Sequence, residues 1–423
     1  MTEHIQTASH WGVYSVETDR ATHEIRGVDG VSYDPHPSPI QASLPETVHG
    51  RLRIDQPYVR EGYLRSTGRR GADAYVPISW EEALDLVATA LLETREKHGN
   101  ESIYGGSYGW ASAGRLHHSP SVLKRFLAHF GGYVDKTGNH SFGAAAGIMP
   151  YVVGRSDISN LVVPWPEVVE HTKLLVMFGG APLKNAQIDS GGAVNHENPD
   201  WYAKKTRAAG VDVVCISPYQ HDVVETVAPR WIPIRPNTDT ALMIGLAHTL
   251  VSERRHDLEF LHEHCEGFPE FERYLLGHDA SWASRITGVP EETIIDLARQ
   301  MASTRTLVNT AWAVQRADHG EQPVWMTVAL AAVLGQIGLP GGGFSLGLGA
   351  VSGIALPRTT GIPRPKLPLD SNPVKATVPV ARVTDLLLHP GEEIEHNGRV
   401  ITFPDIELIY SAGGKPFFTT TPT

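Results

Sequence analysis

Cysteine is almost missing from this 423-residue chain: Cys215 and Cys265 are the only two. They lie far apart in sequence, so neither a disulfide framework nor a cysteine-ligated iron-sulfur cluster can be built within the chain. Positive charge is also short. A net charge of -11 leaves no concentrated basic surface, which argues against nucleic acid as a partner. Long apolar runs are absent as well. The most apolar stretch, residues 325–339, is interrupted by Gly335 and Gln336 and is too short to span a bilayer. Residues 1–12 are polar and carry no basic patch followed by an apolar run. The pairs Arg69-Arg70 and Arg254-Arg255 lie too far in to form an export signal. These absences predict a cytoplasmic protein with no membrane partner.

Three catalytic signatures are missing too. No full Gly-x-Gly-x-x-Gly fingerprint occurs, which argues against an ordinary nicotinamide site. No Gly-x-Ser-x-Gly elbow surrounds Ser141, which removes a serine hydrolase reading. The 21 histidines include His117-His118, His140 and His262-Glu263-His264-Cys265, yet none has the helical spacing or paired cysteines that fix a tetrahedral zinc.

What is present is a large apolar inventory. Hydrophobic residues make up 41%, enough for two or three domains with cores of their own. Ser79-Trp80-Glu81-Glu82 is a capping box, and Leu84, Val87 and Leu91 follow at helical spacing to a stop at Gly99. A strand is expected over 102–106, with Tyr108 and Trp110 on the loop beyond its carboxyl end, where open α/β sheets place ligands. From residue 173 to 310 strands and helices alternate. Strands are expected at 174–178, 211–216 and 306–310, and helices around 201–209, from 239 to 253 and after Pro290. That alternation implies a parallel sheet with helices on both faces. Gly179 to Asn185 follows the first of these strands and Ser217-Pro218 the second. Prolines recur without period over 355–380, an irregular surface excursion.

Several segments carry chemistry in a fixed order. Gly106-Ser107-Tyr108-Gly109-Trp110 is followed by Thr137-Gly138-Asn139-His140-Ser141-Phe142-Gly143-Ala144-Ala145. Then come Gly147-Ile148-Met149-Pro150-Tyr151-Val152-Val153-Gly154, Pro236-Asn237-Thr238-Asp239-Thr240, Trp312 to Arg316 with Gly320-Glu321, and Leu334-Gly335-Gln336-Ile337-Gly338-Leu339-Pro340-Gly341-Gly342-Gly343-Phe344. In order and spacing this set resembles the dimethyl sulfoxide reductase family of molybdopterin oxidoreductases, most of all its biotin sulfoxide reductase and trimethylamine N-oxide reductase branches. The resemblance runs from about His10 to Gly414.

The resemblance implies an α/β molybdopterin oxidoreductase (DMSO reductase-like) fold with doubly wound parallel-sheet domains. It implies molybdenum held by bis(molybdopterin guanine dinucleotide), with Ser141 as metal ligand and Tyr108 and Trp110 as catalytic lid, Trp110 also touching the cofactor. A hard alkoxide suits high-valent molybdenum, whose charge would deprotonate the hydroxyl. Tyrosine and tryptophan exclude water and still aim a donor at an oxygen. Further cofactor contacts implied are Gly180, Pro182, Lys184, Asn185, Ser217, Pro218, Asp239, Trp312, Gln315, Arg316, Gly413 and Gly414. Asp239 matches the family's guanine-binding residue, although an aspartate opening a helix also serves as a cap. Ser217 stands where relatives carry aspartate, and Asn139-His140 where they often carry Asp-Tyr. Relatives often hold an iron-sulfur cluster near the N-terminus; this chain has no cysteines for one, so an external electron donor is expected.

The expected domains are residues 1–160, with a small β-rich part and the molybdenum site; 161–320, a Rossmann-like dinucleotide domain; and 321–423, the return segment of the second α/β domain. After Gly414 the family pattern stops and Lys415-Pro416-Phe417-Phe418 follows. The chain is therefore expected to be the N-terminal half of such an enzyme, lacking the C-terminal β-barrel, with a separately encoded C-terminal half as a partner. Two functions are carried forward. One is an oxotransferase reducing S-oxides or N-oxides by oxygen-atom transfer to Mo(IV). The other is a catalytically silent piece that binds at most a nucleotide.

Overall fold

The computed structural model describes residues 1–67, 71–107, 118–192, 194–356 and 367–413. An antiparallel sheet opens the chain: β1 (Thr2–Ser9), β2 (Gly12–Asp19) and β3 (Ile25–Gly30). Helix α1 (Trp80–His98) begins at the capping box, where the Ser79 side chain accepts from the Glu82 backbone amide at 3.1 Å. It stops at Gly99, whose φ of 81° a Cβ would strain. Strand β4 (Ile103–Ser107), helix α2 (Ser119–Phe130), strand β5 (Asp135–Thr137) and helix α3 (Gly143–Val152) follow.

The centre of the molecule is a five-stranded parallel sheet: β6 (Leu174–Phe178), β7 (Asp212–Ile216), β8 (Arg230–Ile232), β9 (Thr306–Thr310) and β10 (Gly343–Leu346). Its order is β8-β7-β6-β9-β10, and every neighbouring pair is parallel. All five residues of both β6 and β9 are buried, as expected of strands covered on two faces. One face packs Leu174, Val176 and Phe178 against helices α4 (Asp239–Ser252), α5 (Glu291–Ser303) and α6 (Glu321–Val333). The other packs Leu175, Met177 and Cys215 against Trp165 and Tyr202. Burial there pushes the Cys215 thiol up to about 12, so it stays protonated and serves as packing. The sheet draws its fifth strand from beyond residue 320.

A second parallel arrangement is assembled from distant segments. Strand β4 pairs with β12 (Leu408–Ala412), and β5 pairs with β11 (Thr377–Pro379). A bridge from Tyr104 to Val134 joins the two pairs.

Two expectations differ from the structure. The helix expected around residues 201–209 is a π-helical turn, Asp200–Lys205, running into a short α-helical turn, with the Lys205 ammonium over the Trp201 ring at 3.5 Å. In α1 the helical spacing is right, yet Leu91 alone of the three apolar residues is buried, while Leu84 is 63% and Val87 43% exposed. Only the later turns of α1 reach the cluster of Ile103, Leu123 and Leu127. Leu91→Ala is therefore expected to cost about 2–4 kcal/mol of unfolding free energy in urea titrations. Leu84→Ala should change it by less than about 0.5 kcal/mol.

Candidate active site at the sheet's switch point

Strand β6 connects outward to β7 on one side, whereas the chain later returns to β9 on the other. The crevice beyond the carboxyl ends of β6 and β9 is thus the switch point of a doubly wound sheet, the usual place for a ligand. The two loops there are in contact. The Ala311 amide donates to the Phe178 carbonyl oxygen at 2.8 Å, and a Cβ on Gly179 (φ 74°) would lie 2.8 Å from that of Ala311. Glycine is needed at residue 179 for both reasons.

Gln315, 6% exposed, projects from the loop after β9 into the segment before α3. Its Oε1 accepts from the Ala144 amide at 2.8 Å, and its Nε2 donates to the Ser141 carbonyl oxygen at 3.1 Å and to that of His140 at 3.3 Å. The Ala144 amide is one of the first-turn donors that α3 cannot satisfy itself, so Gln315 acts as a remote cap. Asn139 helps from within, its Oδ1 accepting from the Phe142 amide three residues on at 2.8 Å, a local side-chain-to-backbone bond. Arg316 is exposed and donates to the Ser141 carbonyl oxygen at 3.4 Å. The Trp312 ring lies 4.7 Å from that of Phe142, and its Nε1 donates to the Leu346 carbonyl oxygen at 3.2 Å. The bonds from Gln315, Asn139 and Arg316 hold the backbone around residue 141. The Ser141 side chain, half-buried, takes no hydrogen-bond partner among the described residues.

The structure thus brings Ser141, Trp312, Gln315 and Arg316 together. Gly180, Pro182, Lys184 and Asn185 sit at the β6 end. Pro182 precedes a short helical turn, Leu183–Ala186; Lys184 is exposed and without an ion pair among the described residues; Asn185 donates to the Gly349 carbonyl oxygen at 3.2 Å. Ser217 and Pro218 lie at the β7 end, with Ser217 2% exposed. Gly413, φ 67°, follows β12 close to Ser119. Tyr108, Trp110 and Gly414 lie outside the described residues. Sequence reasoning passed over the bracing work of Asn139 and Gln315; an asparagine two residues before a functional serine is the signal of a local side-chain-to-backbone bond.

The Molybdopterin oxidoreductase family matches residues 53–422. The chain belongs to the molybdopterin oxidoreductase family. Its relatives include a trimethylamine-N-oxide reductase of Haemophilus influenzae, 38% identical over 98% of this chain and 52% of the relative. A dimethyl sulfoxide/trimethylamine N-oxide reductase of Rhodobacter capsulatus is 39% identical with the same coverage. A biotin sulfoxide reductase of Cereibacter sphaeroides is 40% identical over 92% of this chain and 54% of that protein. The chain spans about half the length of the curated relatives it matches. Acetylene hydratase from Pelobacter acetylenicus shares the fold, with a TM-score of 0.53, 21% identity, and coverage of 77% of this chain and 42% of that one.

A molybdopterin oxidoreductase implies molybdenum on a pterin, and the residues present fit such a group. The unpartnered hydroxyl of Ser141 suits a hard metal. Gly180 and Gly347 let their loops pack directly against Asp222 and the Trp312 indole, where a Cβ would collide. Asp239 is the first residue of α4 rather than its cap, which is Thr238. Burial pushes its carboxyl up to about 6 from an ordinary 3.8, against the opposing effect of a hydrogen bond from its own backbone amide.

Because the folded-state value is raised, the native protein binds more protons than the unfolded chain between about pH 4 and 6. Stability falls as pH rises through that window. Asp239→Asn should therefore raise stability at pH 7 by about 1–2 kcal/mol and change nothing below pH 4, as read by thermal unfolding at each pH. Gln315→Leu should lower stability by about 2–4 kcal/mol and speed amide exchange at Ala144.

Proposed function

We propose that this chain forms the metal-binding half of an oxotransferase that reduces S-oxides or N-oxides, of the biotin sulfoxide, dimethyl sulfoxide or trimethylamine N-oxide type. The observation that carries the reading is the clamped backbone around Ser141 with its hydroxyl left free at the switch point. Molybdenum on two molybdopterin guanine dinucleotides would supply two electrons to the oxide and take up its oxygen atom. Ser141 would hold the metal through its oxygen, and the positive N-terminal end of α3 would favour the alkoxide. Gln315 and Asn139 fix the position of that oxygen. Tyr108 and Trp110 would exclude water, and the tyrosine hydroxyl would donate to the oxide's oxygen, a role worth a few kcal/mol for one well-placed donor. Asp239 would accept from a guanine, adding a donor to the backbone amide its carboxyl already has. Lys184, exposed and without an ion pair among the described residues, meets a phosphate or pterin oxygen. Electrons come from an external donor, since two cysteines cannot ligate a four-cysteine cluster.

The relatives' remaining half has a place to act. Trp80, Leu84 and Val87 form an exposed apolar stripe on α1, a surface that marks an interaction site. We propose that the stretch matching that half, on this or another polypeptide, covers the stripe and encloses the pocket. The test is the molybdenum content of the purified protein, together with viologen-linked reduction of the three oxides, alone and with a polypeptide matching the remaining half. The wild type should carry molybdenum and reduce at least one oxide in one of the two forms. Ser141→Ala should lose the activity by at least about a thousandfold without a fall in thermal midpoint. Metal-free wild type, silent in both forms, would refute the proposal.

A further inference from the structure

The central sheet also has a wet opposite end. At the amino ends of β7 and β8, away from the switch-point crevice, a cavity of about 430 Å³ opens between Arg207, Asp212, Arg230 and Gln300. These four side chains come from separate segments: the helical turn after Lys205, β7, β8 and the last turn of α5. In a chain of net charge -11, two arginines lining one cavity are unusual. Neither makes an ion pair among the described residues. Each is instead tethered to the protein: Arg207 Nη1 donates to the Thr226 carbonyl oxygen at 3.1 Å, and Arg230 Nη2 to Gln300 Oε1 at 2.6 Å. The acid of the lining, Asp212, accepts from Gln300 Nε2 at 3.5 Å, which leaves two positive charges against one negative. A guanidinium carries five N–H donors, so both arginines keep most of theirs uncommitted. Their tethers lower the cost of ordering them around a ligand.

The wall beside Arg230 is strained. Ala228, directly before Pro229, takes φ 52° and ψ 54°, a left-handed backbone that is costly for alanine and that collects at ligand sites. A carboxylate's two oxygens are filled by one guanidinium fork, whereas a phosphoryl group has three oxygens for two forks arriving from different elements. The cavity lies within the ~300–1,000 Å³ range of small-molecule pockets. It leaves room for an organic body beside Val211, Val227 and Ala228. We propose that this cavity binds a small phosphate monoester, with its phosphoryl group between Arg207 and Arg230. The site needs neither molybdenum nor pterin, so it stands or falls apart from the oxotransferase reading.

The test is calorimetric titration of the full chain with glycerol 3-phosphate, inorganic phosphate and glycerol. Wild type should bind the ester, bind inorganic phosphate more weakly and give no response to glycerol. Arg207→Gln and Arg230→Gln should each weaken the ester by about tenfold, the loss expected of a charge-assisted hydrogen bond. The double variant should lose binding while its thermal midpoint stays at the wild-type value. In wild type, the ester should slow amide hydrogen exchange in peptides covering 207–214 and 226–230. No binding of the ester by wild type, inorganic phosphate binding as tightly, wild-type affinity in the double variant, or protection confined to the crevice at 179–185 would each overturn the inference.

Discussion

One side-chain amide holds the site together. Gln315 reaches from the loop after β9 to three backbone groups of residues 140–144, joining a strand end of the central sheet to the segment that carries Ser141. A primary amide can donate and accept at once, and a buried one demands that both be satisfied. The segment 139–142 has few other constraints, because Gly138 (φ 76°) before it and Gly143 after it offer open space where a Cβ would stand. Without the amide, the Asn139 bond, the Arg316 contact and the Trp312–Phe142 packing would be left to hold the segment that carries the serine.

The division of labour is consistent across the crevice. Side chains such as Gln315, Asn139, Asn185, Ser217 and the Trp312 indole spend their polar atoms on the protein's own backbone or on one another. Those left without partners among the described residues, the Ser141 hydroxyl and the second oxygen of Asp222, face no competing internal bond. Preorganisation of this kind lowers the cost of ordering groups when a ligand arrives.

Much of the fold was legible in the sequence. Strands at 174–178 and 306–310 agree residue for residue with β6 and β9, because fully buried parallel strands are short apolar runs bounded by turn residues. The capping box at Ser79 was equally plain. Burial on α1 was not, since helical spacing shows which residues share a face but not whether another element covers it. The site was legible as a set of segments through family resemblance, while its internal roles were not. Ser217 and Asp222 illustrate why: a hydroxyl and a carboxylate five residues apart carry no periodic signal, and only the turn at the β7 end brings them to 2.8 Å. Gln315 and Ala144 are separated by still more chain.

The pairing of β4 with β12 has a consequence for the order in which the protein is made. The five strands of the central sheet are all in hand once residue 346 has been synthesised, and their neighbours are close in sequence by comparison with the span from 107 to 408. Strand β4, made early, must wait for a mate that the ribosome delivers only after residue 407. During translation the central sheet is therefore complete while one edge of β4 still waits for its partner.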